Sequence, residues 1–125
     1  MNKEQQEAAA KDFLTLIVSS KIDEAYEKYV DFSGKHHNIF TEAGFDALKK
    51  GMKDNDSKFP DKKLIIKNVI SDGDMTVLHS HLIMKPGEME MMVVHMLKFK
   101  DGKIVEMWDC AQPIEDNNIN SDGAF

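Results

Sequence analysis

Two long alternating runs joined at Asp101-Gly102 constrain this chain more than any other feature of its sequence. In the first, Met89, Met91, Val93, His95, Leu97 and Phe99 fall on one side, while Glu90, Met92, Val94, Met96 and Lys98 fall on the other. In the second, Val105, Met107, Asp109 and Ala111 oppose Ile104, Glu106, Trp108 and Cys110. Such runs around Asp-Gly read as a hairpin, and the loop length decides which sides coincide. A two-residue loop would pair His95 with Trp108, whereas a three-residue loop with glycine in the left-handed conformation puts His95 and Asp109 on one face. The three-residue loop is the expectation, because it gathers every charge except Asp109 onto the other side. What remains is a face of Met, Val, Leu and Phe whose only ionisable groups are His95 and Asp109. A buried carboxylate is unfavourable by several kcal/mol unless it is paired or hydrogen-bonded, so Asp109 needs a partner.

The rest of the chain divides by period. Ala10, Phe13, Leu14 and Ile17 form a helical stripe from about Lys3 to Val18. Ser20 and Asp23 read as a capping box for a second helix, which buries Ile22, Ala25, Tyr26 and Tyr29. The span from Asp31 to Phe40 reads as a loop, and Thr41 as the cap of a third helix with Phe45, Leu48 and Met52 inward. Phe59-Pro60 ends helical structure. Strands then run from about Lys63 to Ile70, with Leu64, Ile66 and Ile70 on one side, and from Thr76 to Met84, with turns at Asp72-Gly73-Asp74 and Pro86-Gly87. Helices first and strands afterwards predict an α+β fold, three helices over a curved antiparallel meander of about four long strands with a hollow wide end.

Composition bounds the function. A chain of 125 residues with 42% hydrophobic content is one domain, 1–125, with one core and room for an enclosed pocket. A net charge of −6 and the complete absence of arginine argue against nucleic-acid and anionic-membrane partners and against bidentate phosphate recognition. The apolar run in the first twenty residues spans only Phe13 to Val18, too short for a membrane span or a signal peptide. Cys110 is the sole cysteine, which excludes an intrachain disulfide and fits a reducing cytoplasm. Nine methionines suit a pliable interior, as gap filler or as the lining of a pocket for a carbon skeleton.

The segments GKHHNIF (Gly34–Phe40), GDMTVLHSHL (Gly73–Leu82), VVHMLKFKDGKIVEMWDCAQP (Val93–Pro113) and NINSDGAF (Asn118–Phe125) carry a resemblance over nearly the whole chain. They resemble the SnoaL-like polyketide cyclase group of the nuclear transport factor 2-like superfamily, in particular its branch of predicted SnoaL-like aldol-condensation enzymes. The resemblance implies a cone-shaped fold in which an aspartate after the last hairpin is the general acid/base and a histidine on the preceding strand lies beside it. Asp109 and His95 occupy those positions. A second histidine common just before the final aromatic-Asp pair is Met107 here, a departure that bears on any mechanism using two imidazoles.

The candidate catalytic residues are thus Asp109 and His95, and the candidate ligand contacts are His37, Asn38, His79, Trp108, Met91 and Met107. Either residue of the catalytic pair could equally be structural, the carboxylate holding His95 or Trp108 in place. Of His36 and His37, one is expected to face the pocket mouth and the other solvent. His79 and His81 share a face, which could be the convex one. Five histidines raise a metal reading through His37, His79 or His81, His95 and Asp109, but no short ligand spacing supports it, and neither metal nor organic cofactor is expected. Trp108, Met92, Val94, Met96 and Cys110 would form an apolar convex patch, read as a homodimer interface. The leading expectation is a homodimer acting on an apolar, carbonyl-bearing small molecule. Asp109 would remove a proton beside the carbonyl, with His95 orienting it and His37 or Asn38 donating to the enolate oxygen. The alternative is a domain of the same fold that captures a ligand without turning it over.

Overall fold

The computed structural model describes Met1–Phe125 and begins with helix α1 (Lys3–Val18). Asn2 starts it with a reciprocal cap: its side chain accepts from Gln5 N at 2.8 Å, and the Gln5 side chain accepts from Asn2 N at 3.0 Å. Ala9, Ala10, Phe13, Leu14 and Ile17 are buried along one face, against Ile22, Ala25 and Tyr26 of α2 (Ile22–Tyr29). Phe13 meets Tyr26 edge-on with ring centroids 5.8 Å apart. The expected Ser20–Asp23 capping box does not form. Ser20 takes a left-handed φ of 66°, its hydroxyl donates to Asp56 Oδ1 at 2.8 Å, and Lys21 stands at the N-cap without a side-chain bond.

The segment read as a loop is a strand, β1 (Val30–His36), and the sheet therefore has five strands rather than four. A run of Asp, Ser and Gly hides it, because its stability comes from a partner far along the chain. Helix α3 (Phe45–Lys58) starts later than Thr41, at a Gly44 N-cap with φ of 97°. Thr41 instead belongs to a turn around Asn38, toward whose Oδ1 its hydroxyl points at 3.4 Å. Phe45 and Leu48 are buried, and Met52 packs against the core, as the helical spacing predicts.

Strands β2 (Lys63–Asp72), β3 (Met75–Lys85), β4 (Met89–Lys100) and β5 (Lys103–Ile114) form the antiparallel meander, and β1 adds to β5 in parallel, giving the order β1-β5-β4-β3-β2. The sheet is curved and does not close. A bulge at Lys67 shifts the pairing between Ile66 and Asn68, so Val69 joins Leu64 and Ile66 against the core while Ile70 is 65% exposed. Helix α1 packs on β2 and β3, and α3 on β1, which leaves the helix-facing side of the sheet covered by a core that includes Leu78, Leu97, Phe99, Ile104 and Met107. Burying each such side chain contributes about 1.5–3 kcal/mol.

Candidate functional site

His95 pairs directly with Asp109 across β4 and β5, although the loop has two residues rather than three. Asp101 (φ 52°) and Gly102 (φ 80°) make a left-handed two-residue turn closed by Lys100 and Lys103. That turn alone would oppose His95 to Trp108. Val105 restores the other register: Phe99 pairs with Ile104 and Lys98 with Glu106, leaving Val105 without a partner on β4. The bulge also brings both Ile104 and Met107 into the core. Gly34 of β1 makes room for it. A Cβ on Gly34 would lie 2.2 Å from the Val105 carbonyl oxygen, so no larger residue fits there without displacing backbone.

Asp109 lies on the same face as buried Met107, two residues away on β5. Its carboxylate accepts from Asn38 Nδ2 at 3.1 Å and 3.3 Å, one contact to each oxygen. Tyr26, completely buried beneath it, donates its hydroxyl to Met52 Sδ at 3.1 Å; burial and then the negative charge of Asp109 push the phenol far above its ordinary range. Across the strand pair, the His95 Nδ1 is buried without a hydrogen-bond partner. Burial holds this imidazole below its ordinary value of 6.5, against the opposing pull of Asp109, so it is neutral near pH 7. Ser80 of β3 also buries an unpartnered hydroxyl and pairs with Val93, two residues from His95 on β4. The arrangement is an acidic group held by an amide and faced by a neutral imidazole, in surroundings that favour uncharged partners.

The structure brings Asn38, Asp109, His95 and Met107 together and places Met91 farther along the same face, opposite Pro113. It does not bring His37, Trp108 or His79 to that face. The His37 ring stacks on Trp108 with centroids 5.1 Å apart, and its Nε2 meets Glu106 Oε2 at 2.6 Å, which with Lys35 holds the Glu106 carboxyl below its usual range. His79 lies on that second face too, near His81 and with Phe125 5.7 Å away. The inward histidine is His36, whose Nε2–H donates to the Glu42 carbonyl at 2.8 Å and whose Nδ1 accepts from Asn38 N at 3.1 Å. Alternation along β1 would have identified it, had that strand been recognised. Tyr26 was legible only as a core residue. Asn38 donates its amide to Asp109 itself, and no cluster of three or more His, Cys, Asp or Glu side chains has metal-binding geometry. Two open clefts, of about 230 Å³ beside Gln6 and Phe99 and about 410 Å³ beside Glu7 and Ile66, border α1, away from Asp109. No helix is long and apolar enough to cross a membrane.

The helices over a curved, open sheet have the fold of nuclear transport factor 2-like proteins, one of which, from Burkholderia xenovorans, shares a TM-score of 0.75 at 13% identity. Residues 8–115 match the SnoaL-like polyketide cyclase family, and the chain belongs to that family. Among solved structures it is similar to AclR of Streptomyces galilaeus, at 19% identity and a TM-score of 0.76 over 89% of this chain and 91% of that one. A candidate polyketide cyclase of Bacillus cereus shares 18% identity and a TM-score of 0.75 over 90% of this chain and 79% of the other. A candidate ketosteroid isomerase of Kribbella flavida shares 16% identity and a TM-score of 0.71 over 94% and 84%. These likenesses establish the fold. No curated protein matches the chain.

Proposed function

We propose that this chain is a small-molecule pocket protein that performs acid/base proton transfer beside a carbonyl, in the manner of a cyclase, isomerase or aldol-type enzyme. The observation that carries the reading is the placement of Asp109 opposite His95 on the helix-facing side of the sheet, with its carboxylate aimed by Asn38. Asp109 takes the proton next to the carbonyl and returns it. Neutral His95 hydrogen-bonds the substrate or its enolate, and the methionines Met91 and Met107 suit a loosely shaped apolar skeleton. The reading further includes one domain over residues 1–125, a cytoplasmic homodimer joined through the Trp108 side of the sheet, and no resident metal or organic cofactor.

A ligand-capturing protein without turnover is the second reading. It is favoured by Asn38, which already occupies both oxygens of Asp109. The separating experiment follows exchange of α-protons of apolar aromatic ketones, such as tetralone and acetophenone, in D2O by NMR. Turnover predicts exchange that falls by about 10²–10⁴-fold in Asp109→Asn. Exchange equal in the two proteins would overturn the catalytic reading.

A further inference from the structure

Asp109 is held by one side chain, and that side chain's turn is held by another. Asn38 Oδ1 accepts from Phe40 N at 3.0 Å and from the Thr41 hydroxyl at 3.4 Å, which leaves Nδ2 as the end directed at Asp109. The turn has little apolar anchorage, since Ile39 and Phe40 are 88% and 92% exposed. Its fixed point is His36. That ring is buried beside the Phe45 ring, 6.3 Å between centroids, and bridges the Asn38 backbone N–H at 3.1 Å to the Glu42 carbonyl at 2.8 Å. To accept at Nδ1 and donate at Nε2 it must be the neutral tautomer with its proton on Nε2. The ring thus ties the turn to the segment leading into α3.

We propose that His36 is a positioning residue for Asp109, acting through Asn38: its Nδ1 fixes the backbone of Asn38, which in turn aims the amide that holds the carboxylate. The functional meaning rests on Asp109 being the reacting group of the site, but the structural coupling is read without any ligand. Three variants separate the two ends of the ring. His36→Asn keeps an acceptor near the position of Nδ1, His36→Gln keeps a donor near the position of Nε2, and His36→Leu keeps neither.

The test uses ¹⁵N-labelled protein without ligand and follows solvent exchange of the Asn38 side-chain amide, whose resonance is identified by its displacement in Asp109→Asn. Exchange about tenfold faster in His36→Leu and His36→Gln, with His36→Asn near the parent, is the expected result. Unchanged exchange in His36→Leu would overturn the proposal, as would rescue by Gln as full as that by Asn, and rescue by Gln alone would assign the role to the Glu42 contact. If His36→Leu does not fold, the contrast between Asn and Gln decides alone. Because ketone turnover is measured separately, a protein that exchanges no ketone proton can still support this coupling, and an active one can still refute it.

Discussion

His95 faces Asp109 directly across the β4–β5 pair, yet it is the neutral imidazole rather than the imidazolium that stands there. Burial outweighs the attraction of a carboxylate whose Cβ lies about 5 Å away in such a pair. A histidine-resolved NMR titration will show His95 titrating below 6.5, and lower still in Asp109→Asn, where the opposing charge is gone. A His95 that titrates above 6.5 would contradict this balance.

The same burial ties stability to pH at both extremes. In the unfolded chain His95 takes up a proton near 6.5, whereas the folded chain resists it, so stability is lost as pH falls below 6.5 toward the depressed folded value. Tyr26 has the opposite sense. Its folded value lies above the ordinary 10.0, so the unfolded chain releases the phenolic proton first and stability is lost as pH rises beyond 10. Urea unfolding across pH will show both declines, with Tyr26→Phe weakening the alkaline one and His95→Gln the acidic one.

Gly34→Ala will destabilise the protein by about 1–3 kcal/mol, since its methyl would meet the Val105 carbonyl. The loss should appear in the urea midpoint without a change in slope. Gly73→Ala provides a contrast: nothing lies within 4 Å of its added methyl, and only the left-handed backbone at φ 59° resists it.

Ser80→Ala will leave stability unchanged or raise it by about 1 kcal/mol, because the hydroxyl it removes is buried without a partner. A clear loss in thermal unfolding would mean that the hydroxyl is hydrogen-bonded in solution.

Much of this fold was legible in the sequence because its longest elements are locally patterned. Helix α1 and the paired runs of β4 and β5 carry apolar residues at their own periods, so Lys3–Val18 and the His95–Asp109 pairing followed from spacing. The pairing arose for a different reason than the loop suggested. Bulges obey no local composition rule, and Val105 resembles any strand residue. Strand β1 escaped for a related cause: Val30–His36 is defined by its parallel partner β5, and without that partner its Ser-Gly centre reads as a turn. With β1 unseen, the alternation that turns His36 inward and His37 toward Trp108 stayed hidden too, and with it half of the site.

The unpaired Val105 also gives the final strand a phase. Beyond that residue, the side each group occupies depends on its staying unpaired: were Val105 drawn into the ladder opposite Lys98, the strand would shift by one step and exchange its two surfaces. Trp108 would then stand where Asp109 stands, and the acidic group would turn outward. For a chain of this architecture the shortest route from one chemistry to another is therefore a slip of pairing, a single residue joining the ladder, which rewrites an entire wall while leaving every amino acid as it was.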